Sequence, residues 1–224
     1  GLIWMGEIDF MKAQIKQKID EGFDCLKLKI GALPFEKELE LLSEIRNEFS
    51  KDEMIIRVDA NGGFSPDDVM DKLNKLANLD IHSIEQPIKA NQRKRMSSIC
   101  SKTPVPIALD EELIGVFDPL DRESLLDQVS PQYIILKPSL LGGFKSCEHW
   151  IELAEQRSIG WWVTSALESN IGLNAIAQWT YQLGITSHQG LGTGGLFSNN
   201  IDSPLQVKLG QIKFKINTSW NTKF

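Results

Sequence analysis

Five charged residues stand at the ends of apolar, strand-like runs. They are Lys29 in Leu26-Lys27-Leu28-Lys29-Ile30, Asp59 after Ile55-Ile56-Arg57-Val58, Glu85 after Ser83-Ile84, Asp110 after Ile107-Ala108-Leu109, and Lys137 after Ile134-Ile135-Leu136. The steps between them are 30, 26, 25 and 27 residues. Taken singly, each motif has a bland reading: Lys-x-Lys as a solvated edge, Asp59-Ala60-Asn61 as a turn, Glu85-Gln86-Pro87 as a surface loop. Their order and even spacing point instead to one ring of side chains around one site. Asp59, Glu85 and Asp110 would offer hard oxygen ligands from three adjacent strands, a set that suits Mg²⁺, with Mn²⁺ as the alternative. No histidine or cysteine joins the set, which argues against zinc. Three carboxylates gathered without a cation would repel one another, itself an argument for a metal.

Lys27 and Lys29 are two residues apart on one strand and face the same side. An ordinary lysine, with a pKa near ~10.4, is a poor base at neutral pH. A neighbouring ammonium and partial burial can bring a catalytic lysine down to roughly 7–8. Lys29 is therefore read as the base, and Lys27 as the group that lowers its pKa and positions it. Lys137 arrives from the opposite side. Two lysines flanking a metal-bound carboxylate fit removal of a proton from the carbon next to that carboxylate, with the metal stabilising the enediolate. A Schiff-base aldolase would need one buried lysine and has no use for the three acids.

The elements that must hold this ring alternate between strand and helix. Apolar strand runs are expected at Leu2–Met5, Leu26–Ile30, Met54–Asp59, Ile81–Glu85, Pro106–Leu109, Tyr133–Lys137 and Gly160–Thr164, with a weak eighth at Ser187–Gly192. Between them lie helical patterns at Asp9–Glu21, from Pro34 onwards, from Ser65 to Leu79, and at Gln92–Ser101, Pro119–Gln128, Phe144–Gln156 and Ile171–Leu183. Ser65-Pro66-Asp67-Asp68 reads as an N-cap, a first-turn proline and two acids that suit the helix dipole. Repeated βα units imply an α/β fold with a parallel sheet, and eight of them a (β/α)7β TIM-type barrel over residues 1–197. An open doubly wound sheet is the runner-up, but Met5-Gly6-Glu7-Ile8 carries no GxGxxG. In such a barrel the carboxyl ends of the strands form the catalytic face. Residues 198–224 change pattern: Leu205–Leu209 and Gln211–Ile216 alternate around Gly210, a β-hairpin with one apolar face.

The chain has 224 residues, 42% hydrophobic and 24% charged, with a net charge of -6, which is ordinary globular composition. Dispersed acidic charge argues against a nucleic-acid or membrane partner. Cys25, Cys100 and Cys147 have no CxxC spacing and fit a reduced, cytoplasmic protein. No apolar run approaches ~18 residues, so no transmembrane helix is expected. The three histidines, His82, His149 and His188, are dispersed and read as structural or surface residues. Glu111 has two readings, a hydrogen bond to a catalytic lysine or a solvated loop position.

At the ring residues the sequence resembles the enolase superfamily, in particular its muconate-lactonizing subgroup: Lys-x-Lys on strand two, Asp-x-Asn on three, Glu-Gln-Pro on four, Asp-Glu on five, Lys-Pro on six. The resemblance implies that Asp59, Glu85 and Asp110 bind the metal and that Lys29 and Lys137 are the acid/base pair. Within the subgroup the chain is most similar to the o-succinylbenzoate synthases. Arg57-Val58-Asp59-Ala60-Asn61 resembles their strand three, Thr164-Ser165-Ala166-Leu167-Glu168-Ser169 their strand seven, and Gly190-Leu191-Gly192-Thr193-Gly194-Gly195 their strand-eight loop, whose N–H groups could hold a substrate carboxylate. Arg57, Asn61, Ser165, Glu168, Gly192, Thr193 and Gly194 are accordingly expected to line the pocket. The implied reaction dehydrates 2-succinyl-6-hydroxy-2,4-cyclohexadiene-1-carboxylate to 2-succinylbenzoate in menaquinone biosynthesis, on a small-molecule carboxylate substrate. Dipeptide epimerases of the subgroup carry Asp-x-Asp at strand eight, where this chain has Gly-Leu-Gly-Thr-Gly. An epimerase, a cycloisomerase or an inactive uncapped barrel fragment are the other readings. Family members carry an α+β capping domain before strand one. None is expected within this chain, so a capping domain or a second subunit would have to close the mouth, and the hairpin would pack on it.

Overall fold

The structure, a computed structural model, describes residues 1–215 and 219–220. Seven parallel strands run in sequence order through one curled sheet: β1 (Leu2–Ile3), β2 (Cys25–Lys29), β3 (Ile55–Asp59), β4 (Ser83–Glu85), β5 (Ile107–Leu109), β6 (Tyr133–Leu136) and β7 (Gly160–Val163). Helices α1 (Ile8–Asp20), α2 (Phe35–Glu48), α3 (Val69–Ala77), α4 (Arg93–Cys100), α5 (Pro119–Val129) and α6 (Phe144–Glu155) make the crossovers, and α7 (Asn170–Gln182) follows β7. A strand covered on both faces needs apolar residues on both. Ile84, Ile107, Leu109, Ile134 and Leu136 have no exposed surface. Helix α2 turns Leu41, Leu42 and Ile45 inward at helical spacing. Among the described residues no helix is long and apolar enough to cross a membrane.

Register places the chemistry. Lys29 pairs with Asp59, and Asp59 with Glu85. Glu85 pairs with Ala108, so Asp110 stands one side-chain step further up on the same face. Lys27, Arg57 and Ser83 form the layer below. Deeper inside, Tyr133 and Trp162 pack with ring centres 5.3 Å apart, and the Arg57 guanidinium lies 3.9 Å above the Trp162 ring.

Three sequence expectations need correction. First, the eighth strand reduces to one parallel bridge, Thr164 to Gly190, and no strand pairs with the free edge of β1 among the described residues. Side-chain bonds make further links between this segment and the sheet. Gln189 Oε1 accepts the Val163 N–H at 2.7 Å, and the His188 carbonyl accepts from Arg57 at 3.2 Å. Second, the third helix begins at Val69, not Ser65. Ser65 Oγ instead accepts the Asp67 N–H at 3.3 Å, and the Ser65 carbonyl accepts from Asp68 and Val69, so Ser65–Asp68 is a hydroxyl-stabilised turn before the helix. Third, Glu111 bonds Asn61, not a lysine. The expected hairpin forms as β8 (Leu205–Lys208) and β9 (Gln211–Phe214), while Ile216 lies outside the described residues. Leu209 and Gly210 at its tip both take positive φ, 50° and 67°, as a two-residue primed turn requires. A Cβ on Gly210 would lie 2.8 Å from the Gly22 carbonyl oxygen, so only glycine allows the tip to dock there. Of the hairpin's apolar face, Ile212 packs on the core, while Val207 and Phe214 are exposed.

His82 packs against Tyr133 and Trp162. Burial, then the nearby Arg57 and His188, pull its pKa down to about 4. A histidine depressed on folding stabilises the fold above its ordinary pKa, and that contribution is lost as pH falls from 6.5 towards 4. The ring should titrate well below 6.5 by NMR, and His82→Phe should flatten the stability slope across this window; an ordinary titration midpoint would contradict the packing account.

Candidate active site

The five ring side chains meet. Lys29 Nζ donates to Asp59 Oδ2 at 2.7 Å and to Asn61 Oδ1 at 2.6 Å. Lys27 Nζ binds the same Asp59 oxygen at 2.9 Å and donates to Glu85 Oε2. Lys137 Nζ donates to Asp110 Oδ2 and stands 3.9 Å from Glu85 Oε1. The order Lys29, Asp59, Lys27, Glu85, Lys137, Asp110 is thus one continuous chain of opposite charges. Lys27 reaches this level because its long stem climbs from the layer below.

Burial and charge divide the set. Asp59, Glu85 and Asp110 are at most 2% exposed, whereas the lysines line the cavity. Burial acts against the Lys27 ammonium, but Glu85 and Asp59 outweigh it and hold its pKa above the ordinary lysine value. Burial likewise opposes the Asp59 carboxylate, and Lys27 and Lys29 overcome it, pulling Asp59 below the usual carboxylate range. Burial pushes Glu85 up to about 8; the like charges of Asp59 and Asp110 add to the shift and the two flanking lysines oppose it.

Asn61 explains the Asp-x-Asn spacing. With φ at 43° it turns back so that its backbone N–H meets Asp59 Oδ1 at 3.0 Å, its side-chain Oδ1 accepts from Lys29, and its side-chain Nδ2 donates to Glu111 at 2.9 Å. On the far wall Ser165 Oγ and Thr193 Oγ1 are bonded at 2.6 Å, both buried. Glu168 folds back on its own loop, accepting from Ser139 Oγ at 2.5 Å and from the Ala166 N–H. Asn200 donates to the Gly194 carbonyl and accepts from the Asn170 N–H, tying the glycine loop to the start of α7. Gly192 and Thr193 line the cavity, about 2030 Å³, which opens from the lysines along α1, α7 and the hairpin. Arg57 sits lower, 7% exposed, with Nε unpartnered. Sequence reasoning passed over two buried polar residues, Gln86 and Glu112; the only signal was their position beside Glu85 and Asp110.

The donors fit a divalent cation in kind. All three are carboxylates, and Glu85 Oε1 is buried without a hydrogen-bond partner. Lys27 and Lys137 supply the positive charge between them, so among the described residues no trio of acidic, histidine or cysteine side chains converges on a common point.

A sequence model of the enolase C-terminal domain-like family matches residues 10–215. The chain belongs to this family. It is 56% identical over 210 residues to an o-succinylbenzoate synthase of Desulfotalea psychrophila, covering 94% of this chain and 57% of that one. The crystal structure of MenC from the same organism superposes with a TM-score of 0.88 at 55% identity, over 95% of this chain and 58% of the other. An L-amino acid-D/L-Glu epimerase of Francisella philomiragia is 31% identical, over 77% of this chain and 48% of its own length. The chain therefore spans about half the length of these relatives. Enolase-like barrels share a sheet whose carboxyl ends carry the site, and the ring lies there.

Removing Lys27 would leave buried Glu85 without a hydrogen-bonded cation and Asp59 with Lys29 alone. Lys27→Met should cost about 3–5 kcal/mol of stability in the absence of divalent cations. Chemical denaturation checks this, and unchanged stability would mean that the bridge contributes nothing.

Proposed function

We propose that the protein dehydrates 2-succinyl-6-hydroxy-2,4-cyclohexadiene-1-carboxylate to 2-succinylbenzoate, the reaction of an o-succinylbenzoate synthase in menaquinone synthesis. The observation that carries this reading is the pair Lys29 and Lys137, each on an acid of the ring and each lining the cavity. The 56% identity to a synthase supports the choice of reaction. Asp59, Glu85 and Asp110 would hold Mg²⁺, or Mn²⁺, which supplies positive charge opposite the negative charge that builds on the substrate carboxylate.

Lys29, oriented by Asp59 and Asn61, takes the proton from the carbon bearing the carboxylate. The electron pair left behind re-forms as ring unsaturation and expels the hydroxyl. The same lysine, now an ammonium, protonates that hydroxyl as it leaves, so that one water is lost and the ring becomes aromatic. Lys137 stays charged on the opposite side, a cation against the ring. Ser165, Thr193 and the N–H groups of Gly192 and Gly194 form the wall for the substrate's second carboxylate, with Arg57 beneath as a positive charge. Glu168 holds the loop that carries Ser165. The segment 190–197 has no acidic residue to hold a substrate amine, which disfavours the epimerase reading.

Lys29→Ala should lower turnover at least about 100-fold, the share of a general base, with Mn²⁺ binding retained. A near-normal rate would remove Lys29 from the mechanism. Turnover of dipeptides in place of the cyclohexadiene acid would favour the epimerase.

A further inference from the structure

Gln86 is 0% exposed, stands directly after Glu85, and is held at φ 39°. A non-glycine residue in this region is strained, and the following Pro87 disfavours helical backbone here further. Such strain persists only where the surroundings over-determine it, and here they do. The Gln86 side-chain oxygen accepts the Asp110 N–H at 3.2 Å and the Glu112 N–H at 3.3 Å. Its amide nitrogen donates to the Ile88 carbonyl at 3.1 Å and to Glu112 Oε2 at 3.3 Å. Its backbone N–H donates to Ala108 O at 2.9 Å, and its carbonyl accepts the Gly62 N–H at 2.7 Å. Glu112 is anchored in turn by the Asn91 N–H.

These bonds end at the three places that carry the acids. Gly62 lies in the Ala60–Gly63 turn that follows Asp59, Glu85 is the adjacent residue, and Asp110 is gripped at its own peptide N–H. The buried carboxamide therefore bridges the tips of β4 and β5, while the backbone carbonyl of the same residue ties β4 to the loop after β3. Hydrogen bonds within strands fix their register, but Asp110 lies beyond the end of β5, where the ladder no longer holds it. We propose that Gln86 is a positioning residue whose side chain holds Asp110 in place beside Glu85 and thereby sets the affinity of the divalent-cation site. This rests on the reading of Asp59, Glu85 and Asp110 as the ligands.

The test is Mn²⁺ titration followed by electron paramagnetic resonance, with thermal unfolding measured alongside. The unmodified protein should bind Mn²⁺. Gln86→Leu, which keeps the volume and removes every side-chain hydrogen bond, should bind it about 10–100-fold more weakly, the usual cost of losing a group that orients metal ligands. Gln86→Glu keeps the acceptor but sets a carboxylate against Glu112, and should also weaken binding. Combining it with Glu112→Gln restores a donor–acceptor pair and should recover most of the loss, a rescue that decides the matter even if the leucine variant does not fold. Unchanged Mn²⁺ affinity in the single variants, with only the thermal midpoint lowered, would overturn the proposal, as would a double variant no better than Gln86→Glu. If the unmodified protein bound no Mn²⁺, the ligand set would fail with it.

Discussion

Three carboxylates removed from water at the ends of neighbouring strands must be offset by positive charge. Every other feature of the site follows from that requirement. Isolated buried charges are strongly unfavourable, and three of one sign more so. The protein meets the demand with ammonium groups threaded between them: Lys27 joins Asp59 to Glu85, and Lys137 joins Asp110 to the far side of Glu85. Glu85, in the middle with one oxygen that accepts no hydrogen bond, is the group least satisfied by this arrangement. It is also the place where a divalent cation would relieve most strain.

The parallel sheet makes such crowding achievable. In a parallel ladder of matched register, residues at equal height on adjacent strands point the same way, and Lys29, Asp59 and Glu85 occupy such a row. The apolar core behind the row is contiguous. It fixes the strands so that charged tips meet within hydrogen-bonding distance, while the loops above supply Asn61, Ser165 and Thr193. The charged ring is thus confined to the carboxyl ends. The amino ends are filled by Arg57, His82, Tyr133 and Trp162, a packed aromatic floor.

Much of this was legible in the sequence because the signals are local and periodic. Apolar runs at a 25–30 residue step, each ending in a charge, define both the repeat and the ring. What escaped notice depends on partners remote in the chain. The eighth segment has a strand-like composition, but the Gln189 side chain takes the Val163 N–H, Arg57 takes the His188 carbonyl, and only Gly190 is bridged. Ser65 has the chemistry of a cap, but its hydroxyl serves a turn. Lys27 read as a neighbour of Lys29, yet its length lets it reach Glu85, 58 residues on. Gln86 sits inside the Glu-Gln-Pro motif, but most of its bonds run to peptide groups, which carry no sequence signature.

The most direct measurement is a crystal structure of the protein grown with Mn²⁺, with data collected to locate the ion by its anomalous scattering. A single peak bound by carboxylate oxygens of Asp59, Glu85 and Asp110, with the Lys27 and Lys137 amines displaced from between them, is the result this account requires. A peak elsewhere, or none at saturating Mn²⁺ with the lysines still threaded between the acids, would contradict it.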